Sequence, residues 1–207
     1  MHPSRRRCLL GWAALGGLVA GCGRSKVGSD ADRRAAYLAS PKARKLGEDQ
    51  IRGIFGADGA AILRAASRVE AFRIVDPAWH RAPDAAGVLD GYPITGRGAD
   101  QGADFAGRLA AILLDYRAYC FISPDCLEDP GVAFRAWDGA RAVTLVICYQ
   151  CYHLGVIVHD AAGAAVHRGC GPFAHPIEGP DRLRDLARRA FPTDPEIRAL
   201  GHPGPPA

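Results

Sequence analysis

Residues 143–159 read Val143-Thr-Leu-Val-Ile-Cys148-Tyr-Gln-Cys151-Tyr-His153-Leu-Gly-Val-Ile-Val-His159. Two runs rich in β-branched residues flank a short polar turn, and the turn holds two cysteines at C-x-x-C spacing. Valine, isoleucine and tyrosine favour the half-buried surface of a sheet. The stretch therefore predicts a β-hairpin that carries two thiols at its tip.

A meander of antiparallel strands is predicted around this hairpin, because each strand-like run is followed by a turn signal. The strongest signal is Asp138-Gly139, a favoured dipeptide for two-residue hairpin turns. Pro93 makes residues 91–95 a short edge strand in this interpretation, since proline cannot donate to a neighbouring strand. The other strands are expected at residues 69–75, 131–137, 142–148, 152–159 and 165–168.

Helices are expected on both sides of the strands. Apolar residues recur at the spacing of one helical face over residues 103–116. A closing helix that begins near Gly179 also has an apolar stripe. Thr193-Asp-Pro-Glu196 resembles a capping box ahead of a last short turn. N-terminal helices are expected at residues 32–40, 42–51 and 58–67. The fold class is therefore α+β: N-terminal helices, an antiparallel meander, and a C-terminal helix packed on the sheet.

The first 22 residues are typical of an export signal. Arg5-Arg6-Arg7 precede an apolar run from Cys8 to Ala20 that falls short of the ~20 residues needed to span a bilayer. The run ends in Leu18-Val-Ala-Gly21-Cys22, which resembles the lipobox of bacterial lipoproteins. In those proteins a peptidase cuts before the cysteine, which then carries a diacylglycerol and an acylated amine. An ordinary secretory signal and a short membrane anchor are the alternatives, and export by the Sec or the twin-arginine route stays open.

These features predict the domain organisation of the chain and the location of the protein in the cell. The expected organisation is a signal peptide at 1–21, a lipidated tether at 22–30, one α+β domain at 31–200, and a proline-rich disordered tail at 201–207. The protein is then exported and bound to the cell envelope through the lipid on Cys22, on the periplasmic side or the outer surface. One domain fits the 207-residue length.

Net charge argues against a nucleic-acid partner. The formal charge is +4, and removal of the three arginines of the signal leaves +1. The basic character of the sequence therefore belongs mostly to the export signal, and a basic binding surface is not expected. The expected partners are the membrane, through the lipid, and an unidentified protein or small molecule.

The chain has seven cysteines. Cys8 leaves with the signal and Cys22 takes the lipid. The remaining five are candidates for disulfides or metal ligation: Cys120, Cys126, Cys148, Cys151 and Cys170. Because five is odd, at least one is free, metal-bound or paired with another molecule. An oxidising compartment favours disulfides, with Cys120–Cys126 as one option and Cys148 paired with Cys151 or Cys120 as another.

Two other uses of the thiols stay open. Thiol oxidoreductases place C-x-x-C at a helix N-terminus, whereas β-branched residues surround it here, which disfavours redox catalysis. A zinc site would take Cys148 and Cys151 together with Cys170 and His175, with Cys120 competing for the place of Cys170. His153 and His159, which share one face of a strand, are a further possible ligand pair. No cofactor is expected otherwise, with zinc as the alternative.

No catalytic motif is evident, so the sequence leans away from an enzyme. The glycine-rich segment 96–102 has its third glycine one position away from the dinucleotide fingerprint and lacks βαβ surroundings. It is interpreted as a turn. Nucleophile elbows, zinc-protease helices and phosphate loops are not found in the sequence.

Residues 115–200 resemble a family of uncharacterised bacterial proteins, many of them exported or lipid-anchored. The resemblance rests on Cys120-Phe121, Pro130-Gly131-Val132 and a hairpin of the form I-C-[FY]-x-C, here with Tyr149 where phenylalanine is usual. It implies that Cys120, Cys148 and Cys151 act together, and Cys126 is an insertion. The sequence as a whole predicts a lipid-anchored binding or envelope-structural module with disulfide-stabilised hairpins; the alternative is a zinc or thiol-redox module.

Overall fold

A computed structural model of the chain describes residues 35–82, 84–119, 131–149, 153–172 and 179–200. The labelled helices are α1 (Pro41–Ala65), α2 (Ala103–Leu113), α3 (Gly179–Ala190) and α4 (Pro195–Ala199), with a 3-10 turn at Tyr116–Ala118. Residues 35–38, within the helix predicted at 32–40, are helical as well. The strands are β1 (Arg68–Ile74), β2 (Val88–Leu89), β3 (Tyr92–Arg97), β4 (Gln101–Gly102), β5 (Val132–Asp138), β6 (Arg141–Cys148), β7 (His153–His159) and β8 (Ala165–Pro172). None of the helices in this described part is both long and apolar enough to cross a membrane.

The strands form one antiparallel sheet in the order β2-β3-β1-β5-β6-β7-β8, and β4 pairs with β1 beside β3. The last four strands follow one another in sequence, which confirms the predicted α+β fold with an antiparallel meander. β3 pairs with β1 on one side and β2 on the other, so it is not the edge strand that Pro93 predicted. Pro93 is tolerated because it faces the end of β1: its carbonyl accepts from the amide of Val75, just past the last residue of that strand, and Ile94 makes the hydrogen bond toward the β2 side.

Hairpin turns fix the register of the meander. Asp138 pairs with Arg141, so the turn residues are Gly139 and Ala140, one position later than the dipeptide expected from the sequence. Gly139 has φ 58°, a left-handed conformation that glycine adopts without strain. The β6–β7 pairing begins at Cys148 opposite His153, as the hairpin prediction requires.

Helix α1 joins the two helices predicted at 42–51 and 58–67 into one interrupted element. The interruption is Gly56, whose φ of 64° and ψ of 178° leave the helical conformation. The carbonyl of Ile54 lies 3.0 Å from Nε2 of His167 on β8, so the imidazole satisfies a carbonyl that the interrupted helix leaves without its partner. Phe55, which the sequence interpretation left outside any helix, is fully buried.

The main core lies between the helices and one face of the sheet. Phe105 of α2 and Phe134 of β5 meet there edge to face, with ring centroids 5.4 Å apart. The predicted stripe of the closing helix is confirmed as buried: Leu183, Leu186, Ala187, Ala190 and Phe191. The cap of α4 is Asp194, which accepts from the amides of Glu196 and Ile197, and not Thr193 as the capping-box interpretation had it.

The sheet is curled away from the helices. In a flat sheet β3 and β7, four positions apart in the strand order, would be separated by about 19 Å. Yet Asp90, in the β2–β3 turn, lies 3.1 Å from His159 of β7. The curl therefore creates a concave face, which encloses a second, smaller apolar cluster of Phe72, Ile74, Leu89, Ile94, Ala133, Val146 and Ile157.

Candidate functional site

A cavity of about 200 Å³ opens on the concave face beside this small apolar cluster. Val146 and Ile157, both buried, contribute apolar surface to it. Its polar lining comes from Asp76 in the loop after β1, Tyr92 of β3, and Cys148, His153, Arg168 and Cys170 of the meander. The cavity thus combines an apolar floor with a polar rim.

The register of β6, β7 and β8 explains why these side chains share one face. Cys148 is directly opposite His153, Cys170 is opposite Gly155, and Arg168 is opposite Ile157. Because paired residues project to the same side of a sheet, all of them point to the concave face. Gly155 has no side chain there, and this opens space between its neighbours.

The structure brings together three of the residues singled out from the sequence: Cys148, His153 and Cys170. Cys148 is buried and Cys170 is exposed. They lie two strands apart and two residues apart along the strands, which puts their Cα atoms about 12 Å from each other, beyond the ~7 Å that a disulfide allows. The other candidates, Cys22, Cys120, Cys126, Cys151 and His175, fall outside the described residues.

Metal ligation depends on how these side chains are spaced. Cys148 and His153 are direct cross-strand neighbours, with Cβ atoms expected about 5 Å apart, close enough for both to reach one ion. Within the described ranges, no group of three or more His, Cys, Asp or Glu residues is placed to hold a metal. His153 and His159 share a face as predicted, but six strand residues put them about 20 Å apart, so they cannot be a ligand pair.

A buried polar cluster that the sequence interpretation missed lies at the other end of the concave face. A carboxylate oxygen of Asp90 accepts from Arg135 at 2.8 Å, and Nε2 of His159 lies 3.1 Å from the other oxygen. Arg135 also donates through Nε to the hydroxyl of Thr144 at 2.9 Å. The cluster joins the β2–β3 turn to β5, β6 and β7.

The electrostatics of Asp90 follow from this arrangement. Burial by itself raises the pKa of its carboxyl, but the Thr144 hydrogen bond and the charges of Arg135 and His159 together outweigh burial and lower the pKa below its ordinary value of 3.8. The side chain is 8 % exposed, so the surroundings have to stabilise its charge. Asp90 is therefore an anchor for the β2–β3 turn.

A local signal for this turn is present in the sequence. Asp90-Gly91 is a favoured type I′ dipeptide, and both residues have positive φ, 53° and 104°. Leu89 pairs with Tyr92 around it. The partners of Asp90, by contrast, lie 45 and 69 residues away in the chain, so no local pattern reveals them.

A second cleft of about 660 Å³ lies between residues 95–99 and the α3–α4 connection. Arg73 on its wall is already paired with Asp194 and Glu196. The glycine-rich segment borders this cleft, and a Cβ at Gly98 would lie 2.6 Å from the Ala190 carbonyl. Gly98 therefore serves close packing against α3, in keeping with the interpretation of this segment as a turn.

No protein-family model matches this sequence, and no curated protein or solved structure is significantly similar to it. The likeness to exported bacterial proteins with an I-C-[FY]-x-C hairpin thus stays a prediction.

Proposed function

We propose that the protein is an exported, lipid-anchored binding module of the bacterial cell envelope, with its ligand site in the concave cavity. The observation that carries this proposal is the cavity itself, an apolar floor with a polar rim on the open side of a curled sheet. Small-molecule sites commonly have this composition, and the mouths of β-barrels, which are closed curved sheets, are frequent locations for them.

The charged rim supports a binding role. Arg168 and Asp76 line the cavity, and neither forms an ion pair within the described part of the chain. Some residues of the same types are paired elsewhere, for example Asp90 with Arg135 and Asp104 with Arg189. Neither Arg168 nor Asp76 belongs to the buried core. Asp76 also accepts a hydrogen bond from the Ala78 amide in its own turn, and both side chains line the cavity that a ligand would occupy.

The anchoring half of the proposal is supported by the signal-like residues that end at Cys22. Metabolic labelling with an alkyne fatty acid, followed by intact-mass analysis, tests it directly. The native protein should begin at Cys22 with attached acyl chains, and Cys22→Ala should lose the label. Cys170→Ala is the matched control and should keep it. An unacylated chain that still begins at Met1 would refute the anchor.

The binding half is tested by filling the cavity. In Gly155→Val the added side chain projects into the cavity, since a Cβ at Gly155 already lies 3.4 Å from the Val146 Cβ. Ligands from a panel of small polar metabolites should raise the melting temperature of the native protein and leave this variant unaffected. Gly107→Ala, where a Cβ meets nothing within 4 Å, is the control and should respond like the native protein. Equal shifts in all three proteins would refute the cavity as the site.

A zinc site is the second candidate, and the opposed pair Cys148 and His153 favours it. Cys151 follows Cys148 by three residues and would be the next ligand. Metal analysis of the unreduced protein should then give one zinc per chain, lost in both Cys148→Ser and His153→Ala. Cys170→Ser should retain the zinc because Cys170 lies two strands from Cys148. Two disulfides and no metal would exclude this candidate.

A further inference from the structure

We propose that the tip of the β2–β3 hairpin, residues 88–92, is a pH-sensitive flap over the concave face: it is held against the sheet when His159 is protonated and loosened when His159 is neutral. The inference concerns the movement of the hairpin and goes beyond the ligand site, so it stands or falls separately from the proposed binding function. It rests on the acceptors that face the imidazole and on how the hairpin tip is attached to the sheet.

Both ring nitrogens of His159 face oxygen atoms that only accept hydrogen bonds. Nε2 lies 3.1 Å from Oδ1 and 3.2 Å from Oδ2 of Asp90, and Nδ1 lies 3.3 Å from the carbonyl oxygen of Gly163 in the β7–β8 turn. A neutral imidazole has one N–H and can donate to only one of these partners, whereas a protonated imidazole donates to both. The arrangement therefore fits the protonated ring better than the neutral one.

The charged groups around the imidazole come from three elements. The β2–β3 turn contributes Asp90, β5 contributes Arg135, which donates to Asp90, and the β7–β8 turn contributes Asp160, which accepts from two amides of its own turn. The strands paired with β7 contribute uncharged side chains beside the ring, Ala142 and Thr144 from β6 and Ala165 from β8.

Asp90 stays ionised through the pH range in which histidine ordinarily changes its charge, because the pKa of its carboxyl lies below the usual 3.8. Arg135 is charged throughout the same range. A change between pH 5 and pH 8 therefore alters the ring of His159 and leaves these two partners as they are. At acidic pH the ring makes both of its contacts, and as the pH rises it loses one of them.

The hairpin tip depends on side-chain contacts for its attachment. Within the described residues, the last backbone bond between β3 and β1 joins the amide of Val75 to the carbonyl of Pro93. Beyond it, Leu89 attaches the tip through the small apolar cluster and Asp90 attaches it through Arg135 and His159. Arg135 keeps its bond to Asp90 at either pH, so loss of the imidazole contact loosens the tip without detaching it.

Movement of the tip alters the concave cavity. Tyr92 ends the β2–β3 turn, packs against the small apolar cluster and lines the cavity. A tip that moves away from the sheet therefore carries part of the cavity wall with it. The cavity is then more enclosed at acidic pH and more open at neutral or alkaline pH.

Hydrogen exchange of the full-length protein at pH 5 and pH 8, corrected for the intrinsic effect of pH on exchange, tests the proposal. A two-stranded hairpin is only marginally stable away from a sheet, so the backbone bonds between Ala86 and Ile94 and between Ile94 and Gly87 should open with the tip. We expect about tenfold less protection of residues 86–94 at pH 8, the lower end for one hydrogen bond to a charged group. The amides of α2 are the internal reference and should be equally protected at both pH values.

Side-chain NMR follows the protonation directly. The ring of His159 should carry two N–H groups at pH 5 and one at pH 8.

His159→Gln separates the contact from the titration. Its amide group still offers a donor toward Asp90 but does not titrate, so the protection of residues 86–94 should become independent of pH. His167→Gln is the matched control, because that ring faces the Ile54 carbonyl on the other side of the sheet, and the hairpin should keep the native pH response. Circular dichroism verifies that both variants are folded.

Any of four results would overturn the inference. The first is equal protection of residues 86–94 at pH 5 and pH 8, and the second is a loss of protection in α2 as large as in the hairpin. The third is a pH response in His159→Gln as large as in the native protein. The fourth is a ring of His159 with the same number of N–H groups at both pH values. None of these results decides whether the cavity binds a ligand, which Gly155→Val tests separately.

Discussion

The two faces of the sheet are built in different ways. The helix-covered face is closed by a large apolar core from α1, α2 and α3, whereas the concave face has a small apolar cluster, a buried charged cluster and an open cavity. Apolar packing needs no directional contacts, so the helix-covered face depends on how well its side chains fill the space between sheet and helices. The concave face is held by directional contacts around Asp90. We therefore expect the helix-covered face to govern stability and the concave face to govern shape and binding.

The largest effect should come from the helix-covered face. Phe134 is fully buried against Phe105, so Phe134→Ala removes a large side chain and leaves a hole, at a loss of about 3–5 kcal/mol in the free energy of unfolding. Urea denaturation followed by circular dichroism measures it. Val88→Ala, at a residue that is 67 % exposed, should change stability by less than about 0.5 kcal/mol. Similar losses in both variants would contradict the assignment of the core.

An intermediate effect is expected at Asp90. Asp90→Asn keeps a residue that tolerates positive φ but removes the charge that faces Arg135 and His159. We expect a loss of about 1.5–3 kcal/mol, the range for hydrogen bonds to charged groups. Hydrogen exchange should accelerate in residues 85–97 and stay unchanged in α2. Asp138→Asn, at an exposed hairpin pair, is the control, and equal acceleration in that variant would argue against an anchoring role.

The pH dependence of stability tests whether the charge of Asp90 stabilises the concave face. The pKa of Asp90 is lowered in the folded protein, so its contribution is fully present above the unfolded value near 3.8 and is lost as the pH falls through the folded pKa. Between pH 6 and pH 3 the native protein should therefore lose more stability than Asp90→Asn does. Parallel curves for the two proteins would show that the carboxylate is not stabilised by this cluster.

The smallest effect is expected at His167 of β8, which contacts α1 on the helix-covered face. His167→Ala removes the contact with the Ile54 carbonyl, and a single such hydrogen bond is worth about 0.5–1.5 kcal/mol. The amides near the α1 interruption should exchange faster with solvent. Val166→Ala, at the exposed neighbour, should leave both stability and exchange unchanged. If Val166→Ala lowered the free energy of unfolding as much as His167→Ala, the hydrogen bond from the imidazole to the Ile54 carbonyl would not account for the effect.

The sequence predicted what depends on local patterns. The strands of the meander were placed within one or two residues of their observed starts, and the buried stripe of α3 was correct, because periodicity and turn dipeptides are local signals. The Asp90 cluster was missed because Arg135 and Thr144 meet only through strand pairing and Asp90 reaches Arg135 and His159 only through the curl of the sheet. The meeting of Cys148 and Cys170 in one cavity was also out of reach, since it depends on the pairing of three strands.

Gly56 has a wider effect than its own conformation suggests. A straight helix of 25 residues would be a rod of about 37 Å, yet α1 contacts β5, β6, β7 and β8 on a bent surface. The kink at Gly56 lets the two halves of the helix follow the curvature of the sheet. Gly56 also packs against the ring of His167, the chain neighbour of Arg168, so the kink of the outer helix and the strand that borders the concave cavity are in direct contact.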